Sequence, residues 1–573
     1  MKPSAKIKMS NARFRAILIP ILCILVILAI LATYMANTWR GVLDAYLGRG
    51  EAHIVNVTDT SGLDLDYYDV QYSSDAESLA ASIEVALQIA EEGQVLMKNQ
   101  DGALPLTSDT KITPFGYRYV EPIYGGTGSG NVDVTKDYVY TPEKALKEVF
   151  GAENINSTVE EVLKSSIPYL IGWDEITQAE TSEDTSAGGF GGSGTEKYAI
   201  KEFSPSIYDT DEVKASCAGT VGLVFIGRFG GESDDLRTDE YIDGTPHQLA
   251  LSTYEQQMLD FAQEYCDTVV VILNSSNQME LGELEIDDGV DAVLWIGGPG
   301  GLGFKAMAEI LSGAVNPSGR TADTYYADFT LNPSLQNWGQ YQYANSDEIS
   351  MTGQRDETAY NPIYLEYEEG IYMGYRFYET AWHELEQAQP GAGDAWYNAW
   401  RSSADGRGTG VVYPFGYGLS YTTFTQEITN LTEQDGIITV EVQVTNTGDV
   451  AGKDGVKIYF TAPYTDYDRE NGVEKSYVNL IGFGKTSVLE PGASETVAVS
   501  FDRDDMASYA YRHANADGTM GAYLLEAGTY TISCRKNAHE LYAESGCEEE
   551  YTLISDVVFE GDGLRSSDRN GKS

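Results

Sequence analysis

Short apolar runs separated by amphipathic segments dominate the first two thirds of the chain. Val221–Ile226, Thr268–Leu273 and Val290–Ile296 have the length and the β-branched content of buried strands. Between the first two, Ser252-Thr-Tyr-Glu255 matches a capping box that opens a helix to about Tyr265. Strands that alternate with helices in this way predict an α/β fold with a mostly parallel sheet sandwiched by helices.

After Phe424 the pattern changes to strict alternation of apolar and polar residues. Four segments show it, with turn residues between them: Ile438–Gly448, Val456–Phe460, Glu495–Phe501 and Gly528–Ser533. Alternation with a period of two is typical of strands that bury one face. The last part of the chain is therefore predicted to be an antiparallel, all-β sandwich.

Three glycine-rich stretches are predicted to lack regular structure. Thr181–Thr195 has low complexity and is interpreted as a flexible surface insertion. Gln387–Gly410 is interpreted as a second loose segment between two tyrosine-rich motifs. Gly125–Gly130 has neither the G-x-G-x-x-G spacing nor the Gly-Lys-Ser/Thr of a nucleotide-binding loop, so we expect it to support a pocket instead.

The amino terminus carries an uncharged apolar run, Ala16–Ala36, which as a helix is long enough to cross a hydrocarbon core of about 30 Å. Basic residues precede it, which predicts a cytoplasmic N-terminus and an extracellular remainder: Lys2, Lys6, Lys8, Arg13 and Arg15. A cleaved signal peptide is the alternative, although its apolar region is shorter, about 7 to 15 residues, and ends at a small-residue cleavage site. We therefore predict an uncleaved, single-pass anchor in the cell membrane.

Composition narrows the set of partners. The chain has 88 acidic and 37 basic residues and a formal charge of -51, which disfavours nucleic acid and anionic membrane surfaces as ligands. No cysteine or histidine spacing matches a zinc site, and neither a metal nor another cofactor is indicated. Cys534 and Cys547 are compatible with a disulfide between neighbouring strands and equally with free, partly buried thiols.

One carboxylate stands out by its position. The segment Gly227–Arg237 follows the strand Val221–Ile226 directly and places Glu232 on a glycine-rich loop at the carboxyl end of that strand. In open α/β sheets ligands bind at this edge, so Glu232 is the leading candidate for a working acid. The alternative is a solvated acidic turn, because further acidic residues crowd the stretch: Asp234, Asp235, Asp239, Glu240 and Asp243.

Eight segments between about residues 80 and 555 form an ordered series: Glu92–Leu106, Phe115-Gly116, Gly125–Gly130, Gly227–Arg237, Asn316–Arg320, Glu369–Tyr378, Pro414–Tyr421 and Val444–Gly448. In order and spacing they resemble glycoside hydrolase family 3, the β-glucosidase and exo-glycosidase group, in its second domain and its fibronectin III-like domain. The resemblance implies an α/β sandwich domain at 80–424 and a fibronectin III-like, immunoglobulin-like sandwich at 425–560. Around them we predict a cytoplasmic tail (1–15), the anchor (16–36), a stalk (37–79) and a C-terminal tail (561–573).

By the same resemblance, Glu232 is the general acid/base of a retaining glycoside hydrolase, and Arg228 and Asp235 contact the substrate. The match is incomplete around the acid. Ser233 replaces the glycine that usually follows the glutamate, and Asp235 and Arg237 stand near, not at, the positions of the family's next Asp-Arg. These departures concern the neighbours of Glu232 more than Glu232 itself.

The second carboxylate of a retaining pair has no counterpart in the sequence. The family's nucleophile is an aspartate in a Ser/Thr-Asp-Trp motif on a (β/α)8 barrel, and neither that motif nor the barrel's Lys-His signature occurs here, while Trp173-Asp174 reverses the order. Some family members carry the barrel after the other domains, and Gly563–Asp568 stands about where it would begin. A retaining enzyme needs both carboxyl groups, about 5 to 5.5 Å apart.

These patterns predict a membrane-anchored family 3 protein that hydrolyses O-glycosidic bonds of oligosaccharides or glycosides without a cofactor. A barrel on a partner chain or on further sequence would supply the nucleophile, and the chain alone is expected to be inactive or nearly so. Two alternatives stay open from the sequence: a non-catalytic cell-surface module that binds carbohydrate or a partner, and a structural spacer.

Overall fold

The computed structural model describes residues 11–39, 71–126, 130–166, 200–230, 236, 240, 244–336, 341–349, 351–352, 359–543 and 546–559. The predicted insertion Thr181–Thr195, the pair Trp173-Asp174 and the stretch Gly563–Asp568 lie outside these residues. Two compact units are found, residues 1–77 and 78–573.

The first unit contains helix α1 (Asn11–Thr38). Its section Leu18–Ala36 has a mean hydropathy of 2.8, and its side chains are exposed. By length and composition this section is able to cross a membrane. The predicted apolar helix at the amino terminus is confirmed as a helix.

After α1, the chain forms an α/β domain followed by a domain made mostly of strands. The helices are α2 (Asp75–Gly93), α3 (Tyr117–Val120), α4 (Pro142–Phe150), α5 (Ser157–Ser166), α6 (Asp211–Cys217), α7 (Thr253–Tyr265), α8 (Gly282–Ile286), α9 (Gly303–Leu311), α10 (Pro333–Gln336), α11 (Tyr375–Ala388), α12 (Ala392–Tyr397) and α13 (Asp466–Asn471). The strands of the first domain are β1 (Val95–Asn99), β2 (Ile112–Phe115), β3 (Val221–Ile226), β4 (Thr268–Leu273), β5 (Ala292–Trp295), β6 (Tyr325–Tyr326), β7 (Tyr341–Gln342), β8 (Met351–Thr352), β9 (Ala359–Tyr360), β10 (Ile363–Tyr364) and β11 (Val411–Tyr413). The sandwich strands are β12 (Phe424–Gln434), β13 (Ile437–Asn446), β14 (Gly455–Thr461), β15 (Asn479–Lys485), β16 (Ser494–Asp502), β17 (Ser508–Ala514), β18 (Met520–Leu525), β19 (Gly528–Cys534), β20 (Glu548–Leu553) and β21 (Val557–Phe559).

The main sheet of the α/β domain has the strand order β1-β5-β4-β3-β2. Strands β2 to β5 are parallel, and β1 pairs with β5 in the antiparallel sense. Every residue of β3 is buried, and successive side chains of a strand point to opposite faces, so both faces are covered. The predicted mostly parallel sheet is confirmed.

Local signals fix the starts of two helices that cover this sheet. Thr141 accepts a hydrogen bond from the amide of Lys144, with Pro142 in the first position of α4. The capping box between Ser252 and Glu255 is present in full at the start of α7. Both features are readable in the sequence because they depend on residues at most three positions apart.

The segment 387–410 is not loose, and that prediction is wrong. It contains helix α12, and Trp400 is completely buried, with its indole Nε1 donating to the carbonyl oxygen of Val411 at 3.0 Å. The glycines permit close packing: a Cβ on Gly282 would lie 1.9 Å from the carbonyl oxygen of Gly406. Glycine therefore serves here for contact between two backbones, which composition alone does not distinguish from a flexible loop.

The C-terminal domain is the predicted β-sandwich. One sheet has the order β12-β13-β16 and the other β15-β14-β19-β20, while β17-β18-β21 form a smaller sheet. Alternate residues of β13 are fully buried in the core: Ile438, Val440, Val442 and Val444. Cys534 and Cys547 are free, buried thiols that donate to Gln426, one to its Oε1 at 2.9 Å and the other to its carbonyl oxygen at 3.2 Å. Of the two alternatives, the structure has the thiols and not the disulfide.

Buried and half-buried ion pairs join the sandwich to the α/β domain. Arg320 donates to Asp454 at 2.8 Å, and Asp454 is completely buried. Glu92 pairs with Lys453 at 2.6 Å and with Lys485 at 2.9 Å. Partial burial acts to raise the pKa of Glu92, but the hydrogen bonds from these lysines and from Gln88 hold it at about 2. The two domains are thus joined by ion pairs, and the carboxylate of Glu92 stays ionised at neutral pH.

Candidate functional site

The loops at the carboxyl ends of the parallel strands meet on one side chain, Asn274, which is completely buried after β4. Its Oδ1 accepts from the amide of Ile123 at 2.7 Å, and its Nδ2 donates to the carbonyl oxygens of Ile123 at 2.8 Å and Gly297 at 2.7 Å. Its own amide donates to the carbonyl oxygen of Ile226 at 2.8 Å. The side chain and the backbone amide of Asn274 together therefore connect the loops that follow β2, β4 and β5 to the end of β3.

The glycine-rich loop leaves β3 at this edge. A Cβ on Gly227 would lie 2.4 Å from the carbonyl oxygen of Asn274, so the loop begins in contact with the backbone after β4. Three residues further on, the amide of Gly230 donates to Oδ1 of Asn277 at 3.1 Å. Glu232 and Asp235 lie outside the described residues, so their roles stay predictions.

Arg228 is the second residue of the loop, and only 1% of its side chain is exposed to solvent. A guanidinium group has five N–H donors, and here the protein uses all five. Nε donates to the carbonyl oxygen of Gln248 at 2.5 Å, Nη1 to Gly227 O at 3.0 Å and Glu255 Oε1 at 2.6 Å, and Nη2 to Ala250 O at 2.7 Å and Glu255 Oε2 at 2.7 Å. In this arrangement Arg228 has no donor left for a sugar hydroxyl, contrary to the predicted substrate contact.

Glu255 forms hydrogen bonds both at the start of α7 and with Arg228. Its Oε2 accepts from the amide of Ser252 at 2.8 Å and from the hydroxyl of Ser252 at 3.0 Å, which completes the capping box of α7. The same carboxylate binds both terminal nitrogens of Arg228. The capping motif was readable in the sequence, whereas its link to the candidate loop, across 27 residues, was not.

A second buried carboxyl group lies near this pair. Glu202 accepts from the amides of Phe203 at 2.8 Å and Tyr117 at 3.0 Å. Burial raises the pKa of Glu202 to about 8, and the neighbouring charge of Glu255 adds to the shift, while the two amides and Arg118 oppose it. At neutral pH Glu202 is therefore mostly protonated, so it adds little negative charge beside Glu255.

Several further polar residues near this site could not be identified from the sequence. Nε2 of His247 lies 2.9 Å from Oε1 of Glu280, and Nδ1 of His247 accepts from the amide of Leu249 at 3.1 Å, which assigns the ring proton to Nε2. Arg407 forms an ion pair with Glu280 at 2.8 Å. No motif connects these distant positions. Asn274 and Asn277, by contrast, directly follow an apolar strand, a signal that points to the same edge of the sheet.

Within the described ranges, no group of three or more histidine, cysteine, aspartate or glutamate side chains is arranged to hold a metal ion. The described part of the site therefore consists of the start of the glycine-rich loop, Gly227–Gly230, which we call the loop base, together with buried ion pairs and amide hydrogen bonds.

Two family models match the chain. The glycosyl hydrolase family 3 C-terminal domain matches residues 94–375, which include the candidate loop, and a fibronectin type III-like domain matches residues 456–538. Together with the α/β domain and the sandwich, these matches show that the chain belongs to glycoside hydrolase family 3. Among the described sheets, none closes into a (β/α)8 barrel.

Relatives of this chain are glycosidases. β-Glucosidase A of Butyrivibrio fibrisolvens is 29% identical in an alignment of 482 residues that covers 78% of this chain and 49% of that protein. An exo-α-(1→6)-L-arabinopyranosidase of Bifidobacterium longum is 24% identical in an alignment of 494 residues that covers 84% of this chain and 50% of that protein. The solved β-glucosidase of Paenibacillus barengoltzii superposes with a TM-score of 0.60 at 27% identity, covering 83% of this chain and 44% of that one. The chain thus spans about half the length of these relatives.

We predict that Glu255→Gln strongly destabilises the α/β domain. The substitution leaves the buried Arg228 charge without its partner, which typically costs about 3–5 kcal/mol. The unfolding midpoint of the full chain in denaturant should fall accordingly.

The matched control is Asp466→Asn, which removes an exposed ion pair with Arg469 at 2.9 Å. Water screens that pair, so this variant should unfold like the wild type. Equal effects of the two substitutions would contradict the role of the Arg228–Glu255 pair as the base of the loop.

We also predict that Glu202→Gln changes how stability depends on pH. Its folded pKa of about 8 lies above the ordinary value of 4.5, so the native state binds the proton more tightly, and the contribution of Glu202 to stability falls as pH rises through this window. Glutamine cannot ionise, so the denaturant midpoint of the variant should rise relative to that of the wild type as the pH is raised from 5 to 8. Glu490→Gln, at an exposed position, is the control; a difference for Glu202→Gln that does not change with pH would refute the prediction.

Proposed function

We propose that this chain is an extracellular, membrane-anchored glycoside hydrolase of family 3 that acts on oligosaccharides or glycosides by a retaining mechanism, with Glu232 as general acid/base. The observation that carries this proposal is the set of buried contacts that hold the loop where it leaves β3. The loop that contains Glu232 leaves β3 at the carboxyl edge, and all five donors of Arg228 fix its start. A buried arginine that binds only protein atoms holds a loop in place, which a solvated acidic turn does not require.

In the proposed reaction Glu232 protonates the glycosidic oxygen while a second carboxylate attacks the anomeric carbon, and a covalent glycosyl-enzyme forms. Glu232 then takes a proton from water, which hydrolyses this intermediate. We propose that a (β/α)8 barrel, on a partner chain or on further sequence, supplies the second carboxylate. The half-length match to β-glucosidases supports this division.

The two residues proposed beside Glu232 have different parts in this scheme. Arg228 is a positioning residue, because its donors are all engaged within the protein. Asp235, two residues beyond Ser233 on the same loop, keeps its proposed contact with the substrate. Acid catalysis depends on geometry to within about 0.5 Å, so fixing the start of the loop contributes to the rate without touching the sugar.

We predict that Glu232→Ala lowers the hydrolysis of an aryl β-glucoside by the barrel-containing assembly by about 10²–10⁴-fold. The loss should be smaller for a dinitrophenyl glycoside, whose leaving group needs no proton. Azide should restore part of the rate with that substrate and give a glycosyl azide, because azide attacks the intermediate without a general base. Release of the phenol measures the rate.

The matched control is Glu240→Ala, an exposed acidic residue of the same stretch, which should leave activity unchanged. Full activity of Glu232→Ala would overturn the assignment. An aryl α-L-arabinopyranoside belongs in the substrate set because of the arabinopyranosidase relative. The full chain without a barrel should be nearly inactive on both glycosides, and robust turnover by it would refute the missing-nucleophile part of the proposal.

A second candidate is a non-catalytic module that binds carbohydrate or a partner at the cell surface. This function requires only the α/β domain and the sandwich, both of which the described residues contain. Sugar binding by the full chain, without turnover even after barrel-bearing proteins are added, would support this function over the first.

The anchor is proposed from the length and exposure of α1. We predict that the full chain sediments with membranes, resists alkaline extraction and keeps its amino terminus. A variant with Leu25→Arg and Leu28→Arg should lose this retention, because each arginine costs about 2.5–3.5 kcal/mol at the centre of a membrane helix. A released protein whose amino terminus lies beyond residue 36 would instead identify a cleaved signal peptide.

A further inference from the structure

Helix α2 carries apolar side chains that the described structure leaves exposed. None of its residues is buried, and Val85 and Ile89 are 56% and 67% exposed. Glu92 lies on the same face of the helix, because residues three, four and seven positions apart share a face. Glu92 in turn binds Lys485 of strand β15 at 2.9 Å. The exposed apolar face of α2 therefore borders the sandwich.

A large aromatic side chain extends this surface on the sandwich. Phe483 is 77% exposed and stands two residues before Lys485 on β15, so both side chains point to the same face of the strand. The opposite face of β15 packs inward: a Cβ on Gly482 would lie 2.6 Å from Cγ1 of the buried Val499. Phe483 therefore points out of the sandwich, on the side where Lys485 binds Glu92.

We propose that Val85, Ile89 and Phe483, around the ion pair of Glu92 and Lys485, form a docking surface for the (β/α)8 barrel that supplies the second carboxylate. We call this surface the junction patch. Its role rests on the proposed function, because the retaining mechanism is what requires a barrel. The patch specifies where on this chain that barrel binds.

The register of strand β1 places the junction patch at the carboxyl edge of the main sheet. Val95 pairs with Trp295, the last residue of β5, so the end of α2 at Gly93 lies at the edge from which the loop of Glu232 leaves β3. Three strand spacings of about 4.8 Å separate β1 from β3, roughly 14 Å in all. A barrel of about 250 residues has a radius of gyration of about 18 Å, so a barrel docked on the patch is wide enough to span that distance.

Two observations favour a partner of domain size. The chain spans about half the length of its β-glucosidase relatives, so about half of each relative has no counterpart in the described domains. The patch also continues the interface between the α/β domain and the sandwich, where Glu92 pairs with Lys453 at 2.6 Å as well as with Lys485. A partner at this place therefore contacts both domains at once.

Charge disfavours two other occupants of the patch. Helix α2 also carries Glu84 and Glu91, and acidic residues repel the anionic surface of a membrane. A second copy of the chain would bring together two bodies that each carry a formal charge of -51. A barrel with a neutral or basic face avoids both repulsions, and an aromatic side chain such as Phe483 is typical of the residues that anchor protein interfaces.

The test is photo-cross-linking of the full chain in the membranes of cells that produce it. p-Benzoylphenylalanine replaces Phe483 in one variant and Ile89 in a second, and Ile554, which is 93% exposed on the sandwich, is the control position. After irradiation the tagged chain is purified under denaturing conditions, and cross-linked peptides are identified by mass spectrometry. We expect both patch positions, but not the control, to cross-link to a polypeptide segment that carries the Ser/Thr-Asp-Trp motif of a barrel.

Charged substitutions measure the contribution of the patch to docking. Phe483→Asp and Ile89→Asp should each lower the aryl β-glucosidase activity that co-purifies with the tagged chain by about tenfold or more, because a carboxylate buried in an interface is unfavourable. Ile554→Asp should leave that activity unchanged. All three residues are exposed in the chain itself, so the denaturant midpoints of the variants should match that of the wild type.

Failure of the patch and failure of the proposed function give different results. The patch is overturned if both patch variants keep the full co-purified activity, if no cross-link forms, or if cross-links join only a second copy or a segment of this chain without the barrel motif. Glu232 would then still be the acid if Glu232→Ala abolished the activity. Loss of activity in the patch variants together with full activity of Glu232→Ala would instead keep the patch and refute Glu232 as the acid.

Discussion

The buried ion pair between Arg228 and Glu255 is the interaction on which the candidate site depends. Burying two charges is unfavourable unless the geometry and the remaining hydrogen bonds compensate for lost hydration. Here the guanidinium uses all five donors, and the carboxylate lies in the first turn of α7, where the helix dipole and the amide of Ser252 also favour negative charge. The pair thus ties the start of a helix to the start of a loop.

The carboxyl edge of the sheet extends this constraint to the other loops. Asn274 joins the loops after β2 and β5 to the end of β3, and Gly227 passes so close to its backbone that a side chain is excluded. The ion pair between Arg320 and the buried Asp454 also joins the α/β domain to the sandwich. These contacts fix the place where the glycine-rich loop begins, at Gly227 and Arg228.

In the proposed mechanism Glu232 is half of a retaining pair, and a retaining glycoside hydrolase needs the other carboxyl group at about 5 to 5.5 Å. Membership in the family and a match to about half of each relative are consistent with catalysis shared between domains.

The sequence by itself determined the main strands, the caps of α4 and α7, the sandwich and the edge at which the glycine-rich loop leaves β3, because these depend on periodicity and on residues a few positions apart. It misjudged 387–410, since glycines that permit backbone contact look like glycines of a loose loop. Only the tertiary structure decided that Arg228 holds the start of the loop and that Glu202 keeps a proton. Burial and the pairing of distant side chains arise from the packing of the whole domain, and no local pattern encodes them.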